Sequence, residues 1–290
     1  DVIGLVVAII SAPYPGSAEA IEASEVIALP GALMWEVMNA YAMLDAYSKA
    51  QGITMDKNDL WIAAAAFSAD ARLVTPRPSR LLLDRHGRYL GEVLGEGGEL
   101  GYWPLAPVLP ERIAAVTLET EDRHFYEHAG VYPPSLARAA WQNLSHLRVV
   151  SGGSTLPMQV ARMQHPAARS LLAKLREAAD ALGLVRRHGH DLLLRQYLTL
   201  APYGNRAHGV VRAARLYFDK PVEDLSWLQA AFLAALPQQP GRMNPFSVDG
   251  KERALQRAHR ILRLLHQRKL LSDDELSQAL SSALGLVPPP

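Results

Sequence analysis

Two linked motifs, at residues 121–130 and 152–155, constrain the fold of this 290-residue chain more than any other feature. An apolar helical run containing Ile113, Val116 and Leu118 ends in two adjacent acids, and an aromatic pair, a histidine and a glycine follow. A Gly-Gly-Ser-Thr turn comes about one helical hairpin later. The pattern therefore predicts a helix that ends at the acids and, further along the chain, a tight glycine-rich turn.

The residue types in these two motifs indicate a particular chemistry. A carboxylic acid held at a helix end against aromatic rings can have its pKa raised toward neutrality. A glycine-rich turn that carries hydroxyl groups lets backbone N–H groups approach a phosphate. Together the motifs indicate chemistry on a phosphate-linked sugar.

The motifs resemble those of the bacterial peptidoglycan glycosyltransferases, the transglycosylase module of class A penicillin-binding proteins. In that family Glu-Asp-x-x-Phe-x-x-His-x-Gly precedes Gly-Gly-Ser-Thr-x-x-x-Gln, and both stand here intact. The resemblance covers roughly residues 79–287, and the Met-Gln-Val-Ala-Arg sequence at 158–162 is nearest to the penicillin-binding protein 1C subclass. Other similar elements are Lys-x-x-Glu-Ala at 174–178, Tyr-Phe-Asp-Lys-Pro at 217–221, Leu-Pro-x-x-Pro at 236–240 and Asn-Pro at 244–245.

The resemblance implies a mainly α, lysozyme-like glycosyltransferase domain at residues 79–290, with a small β-hairpin at its entry. The residues independently predict that hairpin, because apolar segments at 80–83 and 89–94 flank Asp-Arg-His-Gly. Pro110 is predicted to open a helix. Capping boxes start two later helices, and the pattern at 253–271 predicts an amphipathic helix that packs against the core. The capping pairs are Ser226 with Gln229 and Ser272 with Glu275.

Residues 1–76 differ from the rest and predict a short α/β segment. Apolar β-branched runs favour strands at 2–10 and 26–29, and Leu73-Val74 is strand-like; helical patterns lie at 18–23, 35–50 and 59–71. The segment weakly resembles a truncated PIN-type nuclease, a metal-dependent ribonuclease in which Asp1, Glu36 and Asp59 would be the matching acids. Pro76 replaces the closing acid, so a fused remnant without activity is the preferred interpretation.

The resemblance also assigns roles to individual residues. Glu121 would be the base that takes a proton from the acceptor hydroxyl, and Glu177 would support the leaving pyrophosphate. Cations that crowd the segment beside Glu177, among them Arg186 and Arg187, are predicted to neutralise its charge. Asp122 is expected to orient the loop, and His128 is expected to be a structural histidine. The residues predicted to contact substrate are Asp122, Ser154, Thr155, Gln159, Arg162, Arg169, Lys174 and Arg176.

Composition excludes some classes of site and leaves others to the resemblance. The absence of cysteine excludes disulfides and thiolate-bound zinc, while a net charge of +1 identifies no partner. No protein-held metal and no obligatory cofactor are predicted, although Mg or Mn can accompany the pyrophosphate. The implied partners are lipid II, the nascent glycan strand, the membrane surface, and a transpeptidase domain or cell-wall synthesis complex; nucleic acid is not expected.

The implied location is the periplasmic face of the bacterial inner membrane. The apolar run at 2–12 is shorter than the roughly 20 residues of a membrane span. Family members usually carry an N-terminal anchor and often continue into a transpeptidase domain. We therefore expect the chain to be a fragment, with the prolines at 288–290 beginning an interdomain linker.

Three departures from the family pattern keep alternatives open. Arg195 replaces an acid, Thr199 replaces an asparagine, and Pro157 follows the Gly-Gly-Ser-Thr turn, where it is predicted to stiffen the backbone. The first two favour a non-catalytic module that binds glycan or lipid carrier, and a lysozyme-type hydrolase is a further alternative. Retention of Glu121 and Glu177 favours the transferase.

Overall fold

The computed structural model describes residues 6–8, 26–28, 72–86, 89–94, 100–134, 153–166 and 171–288. Over this part the protein is mainly α, as predicted. In chain order the elements are β1 Val6–Ala8, β2 Val26–Ala28, β3 Arg80–Leu83, β4 Tyr89–Val93, α1 Glu111–Glu121, α2 Leu156–Gln164, α3 Leu171–Leu200, α4 Val210–Phe218, α5 Trp227–Ala235, α6 Val248–Gln267 and α7 Asp273–Ser281. Short 3-10 turns lie at Phe125–Glu127, Val222–Asp224 and Leu236–Gln238.

The N-terminal segment is described only at its two strands. β1 and β2 pair antiparallel, with Val6 opposite Ala28, and both lie within the predicted runs. The helices predicted at 18–23, 35–50 and 59–71, and the acids Asp1, Glu36 and Asp59, lie outside the described residues.

The strand predicted at Leu73-Val74 is wrong, because this segment is held by a helix rather than by a sheet. The Gln196 amide on α3 donates to the Val74 carbonyl at 2.8 Å and accepts from the Thr75 hydroxyl at 3.1 Å. Leu73 packs against the helical core. The end of the predicted N-terminal segment is therefore attached to the helical body.

The predicted hairpin is confirmed. β3 and β4 pair antiparallel with Arg80 opposite Val93, and the register shifts between Leu82 and Leu83. In the turn, the Asp84 carboxylate accepts the backbone N–H of His86 at 2.8 Å, the side-chain bond that stabilises an Asx turn.

The core lies where α5 packs against α1 and α6. Every residue from Leu228 to Ala235 is buried, so α5 is surrounded by the other helices. Ile113 and Val116 on α1 face it and are buried, as their spacing predicts. Both predicted capping boxes are present, at the first residues of α5 and α7.

The bounds predicted for α6 were partly wrong. The helix begins at Val248, five residues before the predicted start, because the Ser247 hydroxyl accepts the backbone N–H of Gly250 and caps it. It ends at Gln267. Two residues later, the left-handed backbone of Lys269 (φ 61°) turns the chain away from the helix axis. Leu264, predicted to pack, is 42% exposed. None of the helices in the described ranges combines the length and hydropathy needed to cross a bilayer.

Candidate active site

Glu121 is the last residue of α1, and its carboxyl group is only partly satisfied. Its Oε2 accepts from the Gln159 amide on α2 at 2.9 Å. Its Oε1 is buried without a hydrogen-bond partner among the described residues. A buried oxygen without a donor disfavours the charged carboxylate, which is the environment of a carboxyl group that readily takes a proton.

Burial is the main reason why the pKa of Glu121 is raised above the ordinary glutamate value, and the nearby charge of Asp122 raises it further. The hydrogen bond from Gln159 and the positive charge of Arg257 oppose this shift. A carboxylate whose pKa lies closer to the working pH is a better general base, because it holds a transferred proton more firmly. The geometry therefore suits the role predicted for Glu121.

Asp122, the next residue, has a different environment. Its buried carboxylate faces Nε2 of His128 at 3.0 Å and accepts the backbone N–H of Leu156 at 2.8 Å. The Gly130 N–H donates to Nδ1 of the same imidazole at 3.0 Å, so Nε2 carries the proton that faces Asp122. These bonds support the expected loop-orienting role of Asp122 and structural role of His128; the substrate contact predicted for Asp122 stays a prediction.

Glycine is required at position 130 by both conformation and space. Its φ is 122°, and a Cβ there would lie 2.6 Å from the carbonyl oxygen of Ala181 on α3. The carbonyl of Gly130 also accepts the hydroxyl of Thr155. The first motif thus ends in a glycine that brings the loop against α3 and against the start of α2.

The described part of the Gly-Gly-Ser-Thr turn, residues 153–155, leads into α2. Thr155 caps the helix by accepting the Met158 N–H at 3.4 Å, and Asp122 takes the N–H of Leu156. Pro157 lies in the first turn and has no N–H, a position that proline tolerates. The N–H groups of Leu156 and Met158 are thus bonded within the protein. The phosphate contact predicted for the backbone N–H groups of the Gly-Gly-Ser-Thr turn stays a prediction.

Glu177 lies on α3 in a cluster of cations. Its Oε1 accepts from the Arg162 guanidinium at 2.9 Å, and its Oε2 is 3.9 Å from Nζ of Lys174. Arg162 also donates to the Ser154 hydroxyl at 3.2 Å, which is bonded to Lys174 as well. The Arg162 side chain is 43% exposed, so this cluster opens to solvent on one side.

Helix α2 connects the two acids. Gln159 bonds to Glu121 and Arg162 bonds to Glu177. Residues three positions apart lie on one face of a helix. This face of α2 therefore places both candidate acids in one site, which is the arrangement that the resemblance implies.

Two further predicted cations have different outcomes. Arg176 extends toward Asp180 at 3.8 Å on its own helix and is 53% exposed. Arg169 lies outside the described residues. Arg186 and Arg187, also counted in the basic segment, are exposed further along α3.

The two departures from the family pattern on α3 have local partners. Arg195 donates to the carbonyls of Ala106, at 2.8 Å, and Pro107. The Thr199 hydroxyl donates back to the carbonyl of Arg195 at 2.9 Å within the helix. The contacts of Arg195 fasten α3 to the segment before α1.

Sequence reasoning missed Arg257 and Tyr197 as neighbours of Glu121. Arg257 lies on the face of α6 that buries Ala254 and Ile261, three residues after one and four before the other. An arginine on the apolar face of an amphipathic helix is a signal that the sequence contained. Tyr197 is buried, and its hydroxyl interacts electrostatically with Glu121.

Comparisons with known proteins show what the chain is similar to. The sequence model of the family described as Transglycosylase matches residues 88–266. Penicillin-binding protein 1C of Escherichia coli is 32% identical over 240 residues, covering 81% of this chain and 31% of that protein. Penicillin-binding protein 1A of Aquifex aeolicus is 33% identical over 211 residues, covering 72% and 28%. The crystal structure of penicillin-binding protein 1A from Haemophilus influenzae matches 75% of this chain and 22% of that chain, with 20% identity and a TM-score of 0.40.

The chain matches only part of each relative. The chain spans about three tenths of the length of the two curated relatives. Identity to the 1A and 1C proteins is nearly equal, so the 1C subclass stays a prediction.

Proposed function

The chain belongs to the transglycosylase family of class A penicillin-binding proteins, and from this membership we propose that its helical domain polymerises lipid II into β-1,4 glycan strands. The observation that carries the proposal is the placement of two acids along one face of α2. One acid is buried at a helix end, and the other lies among cations. This asymmetry matches a reaction that needs a base at one end and charge neutralisation at the other.

In the proposed step, Glu121 removes the proton of the acceptor 4-hydroxyl as that oxygen attacks the anomeric carbon of the donor. The new C–O bond forms on the face opposite the breaking C–O bond to pyrophosphate, so the anomeric configuration inverts. The proton remains on Glu121, and the lipid pyrophosphate leaves with the bonding electrons. No covalent glycosyl-enzyme intermediate is required.

The cluster around Glu177 would receive the leaving group. Arg162 and Lys174 supply positive charge, and preorganised charge of this kind is usually the largest catalytic term. Ser154, bonded to both cations, holds them in place. Thr155 and Asp122 hold the start of α2, the helix that carries Arg162.

We propose that a divalent cation, where one takes part, arrives on the pyrophosphate. Mg²⁺ is commonly bound by one or two carboxylates together with substrate phosphates. Oε2 of Glu177 is buried without a hydrogen-bond partner in the described part of the chain and can accept such an ion. No cluster of three or more histidines and acids that could hold a metal occurs among the described residues. Activity measured with and without a chelator tests this point.

The proposed setting follows from the substrate. Lipid II is membrane-anchored, so the domain would work at the periplasmic face of the inner membrane, beside a transpeptidase domain or within a cell-wall synthesis complex. The ribonuclease and glycan-binding alternatives receive no support from the comparisons.

The deciding experiment is polymerisation of labelled lipid II by the purified chain. We expect glycan strands from the parent, and a fall of about 10²–10⁴-fold in rate for Glu121→Gln, the typical contribution of a positioned base. Glu127→Gln, which changes a 67% exposed carboxylate in the same motif, is the matched control and should retain activity. A folded parent that binds lipid II but makes no polymer would overturn the proposal and support a binding module.

A further inference from the structure

A cavity of about 510 Å³ opens between the β3–β4 hairpin, α4 and the segment that follows α7. Neither candidate acid and no residue of α2 is among the described residues that line this hairpin cavity. Pockets that bind small molecules commonly have volumes of about 300–1,000 Å³. The hairpin cavity is therefore large enough for a ligand and is separate from the candidate active site.

Apolar side chains form much of the lining: Leu90, Trp103, Leu216, Val287 and Pro288. The strand register skips Leu90, which is the extra residue of a β-bulge. Bulges often redirect a side chain beside a functional site. On the opposite side, Val287 is held by its backbone N–H, which donates to the Tyr217 carbonyl at 2.9 Å. The apolar wall is thus fixed by backbone structure at both ends.

The same lining contains a buried ion pair between Glu92 and Arg212, with 2.7 Å between Oε2 and Nε. Both oxygens of the carboxylate have a donor, because Ser79 donates to Oε1. The guanidinium is less well satisfied, since its Nη1 is buried without a hydrogen-bond partner among the described residues. Buried donors without an acceptor are rare and costly, so the pair needs an acceptor and no further donor.

The charges of the lining indicate which kind of acceptor fits. Three carboxylates and two guanidinium groups give it a formal charge of −1; they belong to Asp84, Glu92, Asp219, Arg212 and Arg215. A further negative charge would be repelled by the carboxylates, and a cation would leave Arg212 without its acceptor. A carbonyl or amide oxygen has neither disadvantage.

We propose that the hairpin cavity binds a small neutral organic molecule with an apolar body and a carbonyl or amide oxygen that accepts from the Arg212 guanidinium. The apolar body would pack against Leu90, Trp103 and Leu216. Such a ligand would contact the hairpin, α4 and the segment after α7 together, and it would stabilise the folded state by binding it. The inference goes beyond the proposed function and does not depend on it.

Binding is measured with acetanilide, which joins one phenyl ring to one neutral amide. It is titrated into the 290-residue chain, and the indole N–H signal of Trp103 is followed by NMR, with Trp103→Phe used to assign it. We expect a saturable shift with a Kd on the order of 1 mM, consistent with the limited binding energy of so small a molecule. Phenylacetate, of similar size but negatively charged, should bind about tenfold more weakly.

Two substitutions in the hairpin test the location. Leu90→Trp places a larger side chain in the cavity, so the shift caused by acetanilide should disappear. Leu82→Trp is the matched control, because Leu82 is an exposed leucine of the same hairpin that does not line the cavity. This control should bind acetanilide as the parent does.

Arg212→Lys tests the acceptor. Lysine keeps a cation beside Glu92 but removes the guanidinium, so the affinity for acetanilide should fall about tenfold. Circular dichroism checks that each variant is folded, and where Arg212→Lys does not fold, Leu90→Trp decides.

Three results would overturn the inference. The first is a shift in the folded parent that is absent or does not saturate. The second is a shift that persists unchanged in folded Leu90→Trp. The third is a preference for phenylacetate over acetanilide. Polymerisation of lipid II plays no part in these measurements, so failure of the proposed function would leave their outcome unaffected.

Discussion

Glu121 and Asp122 are adjacent in the chain and have opposite environments. The Asp122 carboxylate faces an imidazole and accepts a backbone N–H, whereas one oxygen of Glu121 has no donor among the residues that the structure describes. Consecutive residues at a helix end point in different directions, so one acid faces the turn and the other faces the site. The difference between an orienting residue and a reactive one is therefore a matter of which donors lie within reach.

The raised pKa of Glu121 has a consequence for stability. Burial disfavours its carboxylate, so between the unfolded and folded pKa values the folded state binds more protons, and the free energy of unfolding falls as pH rises through that window. Glutamine removes this penalty and keeps an oxygen for Gln159. We expect Glu121→Gln to have a higher Tm than the parent at neutral pH, with the difference shrinking below the ordinary glutamate pKa of 4.5.

Thermal unfolding followed by circular dichroism at neutral and acidic pH measures this effect. Glu127→Gln, at an exposed carboxylate, should show little change at either pH. An equal or lower Tm for Glu121→Gln at neutral pH would contradict the assignment of a penalised carboxylate.

At the scale of elements, the first turn of α6 shows where packing overrides propensity. Alanine normally stabilises a helix by up to about 1 kcal/mol relative to glycine. At Gly250, however, a Cβ would lie 2.4 Å from the carbonyl oxygen and 2.7 Å from the nitrogen of Asn244. Asn244 is itself held by a bond from the Asn205 amide at 2.8 Å. We expect Gly250→Ala to destabilise the protein by about 1–3 kcal/mol, the usual cost of overpacking.

Chemical denaturation measures that loss. The matched control is Gly241→Ala, because nothing lies within 4 Å of a Cβ built at Gly241. A more stable Gly250→Ala variant would mean that the backbone around Asn244 can move aside.

Helix α2 is the element on which the site depends most. It is nine residues long, its start is bound by Asp122 and Thr155, and one face of it contacts both candidate acids. A short helix has little stability of its own in water. Its position is therefore set by packing against α3 and by the residues of the first motif.

At the scale of the whole molecule, a buried ion pair joins the hairpin to the helical body. Glu92 on β4 accepts from the Arg212 guanidinium on α4 at 2.7 Å, and the two side chains are 4% and 7% exposed. Ser79 also donates to Glu92, while Trp103 donates to the Ser79 carbonyl at 3.0 Å. The hairpin is thus part of the same folded unit as α4.

Removing one partner should have a large effect. We expect Arg212→Ala to lower the free energy of unfolding by about 3–5 kcal/mol, because Glu92 would then be a buried charge without its cation. Arg215→Ala is the control on the same helix, since the pair of Arg215 with Asp219 is solvent-exposed and should contribute about 0–1 kcal/mol. Denaturant unfolding measures the loss of unfolding free energy in each variant. A loss for Arg212→Ala as small as the one expected for Arg215→Ala would show that the buried pair is dispensable.

Much of the local structure could be predicted from the sequence. The end of α1 at the two acids, the hairpin and the capping boxes at Ser226 and Ser272 depend on residues within a few positions of one another. Hydrogen bonds between near neighbours produce each of these features, so a local pattern is enough to predict them. The strand predicted at Leu73-Val74 was wrong because a side chain from a helix far along the chain, Gln196 on α3, binds this segment. A local pattern does not contain that contact.

The sequence by itself determined the family of the chain, its mainly α class and the identity of the two candidate acids. Only the tertiary structure decided that α2 contacts both acids and that the Asp122 carboxylate pairs with His128. It also decided that Arg257, 136 positions after Glu121 in the chain, interacts with it electrostatically. Charge and burial act through space, and a spacing pattern contains no distance between segments far apart in the chain. The environment that makes Glu121 a base is therefore a property of the folded molecule.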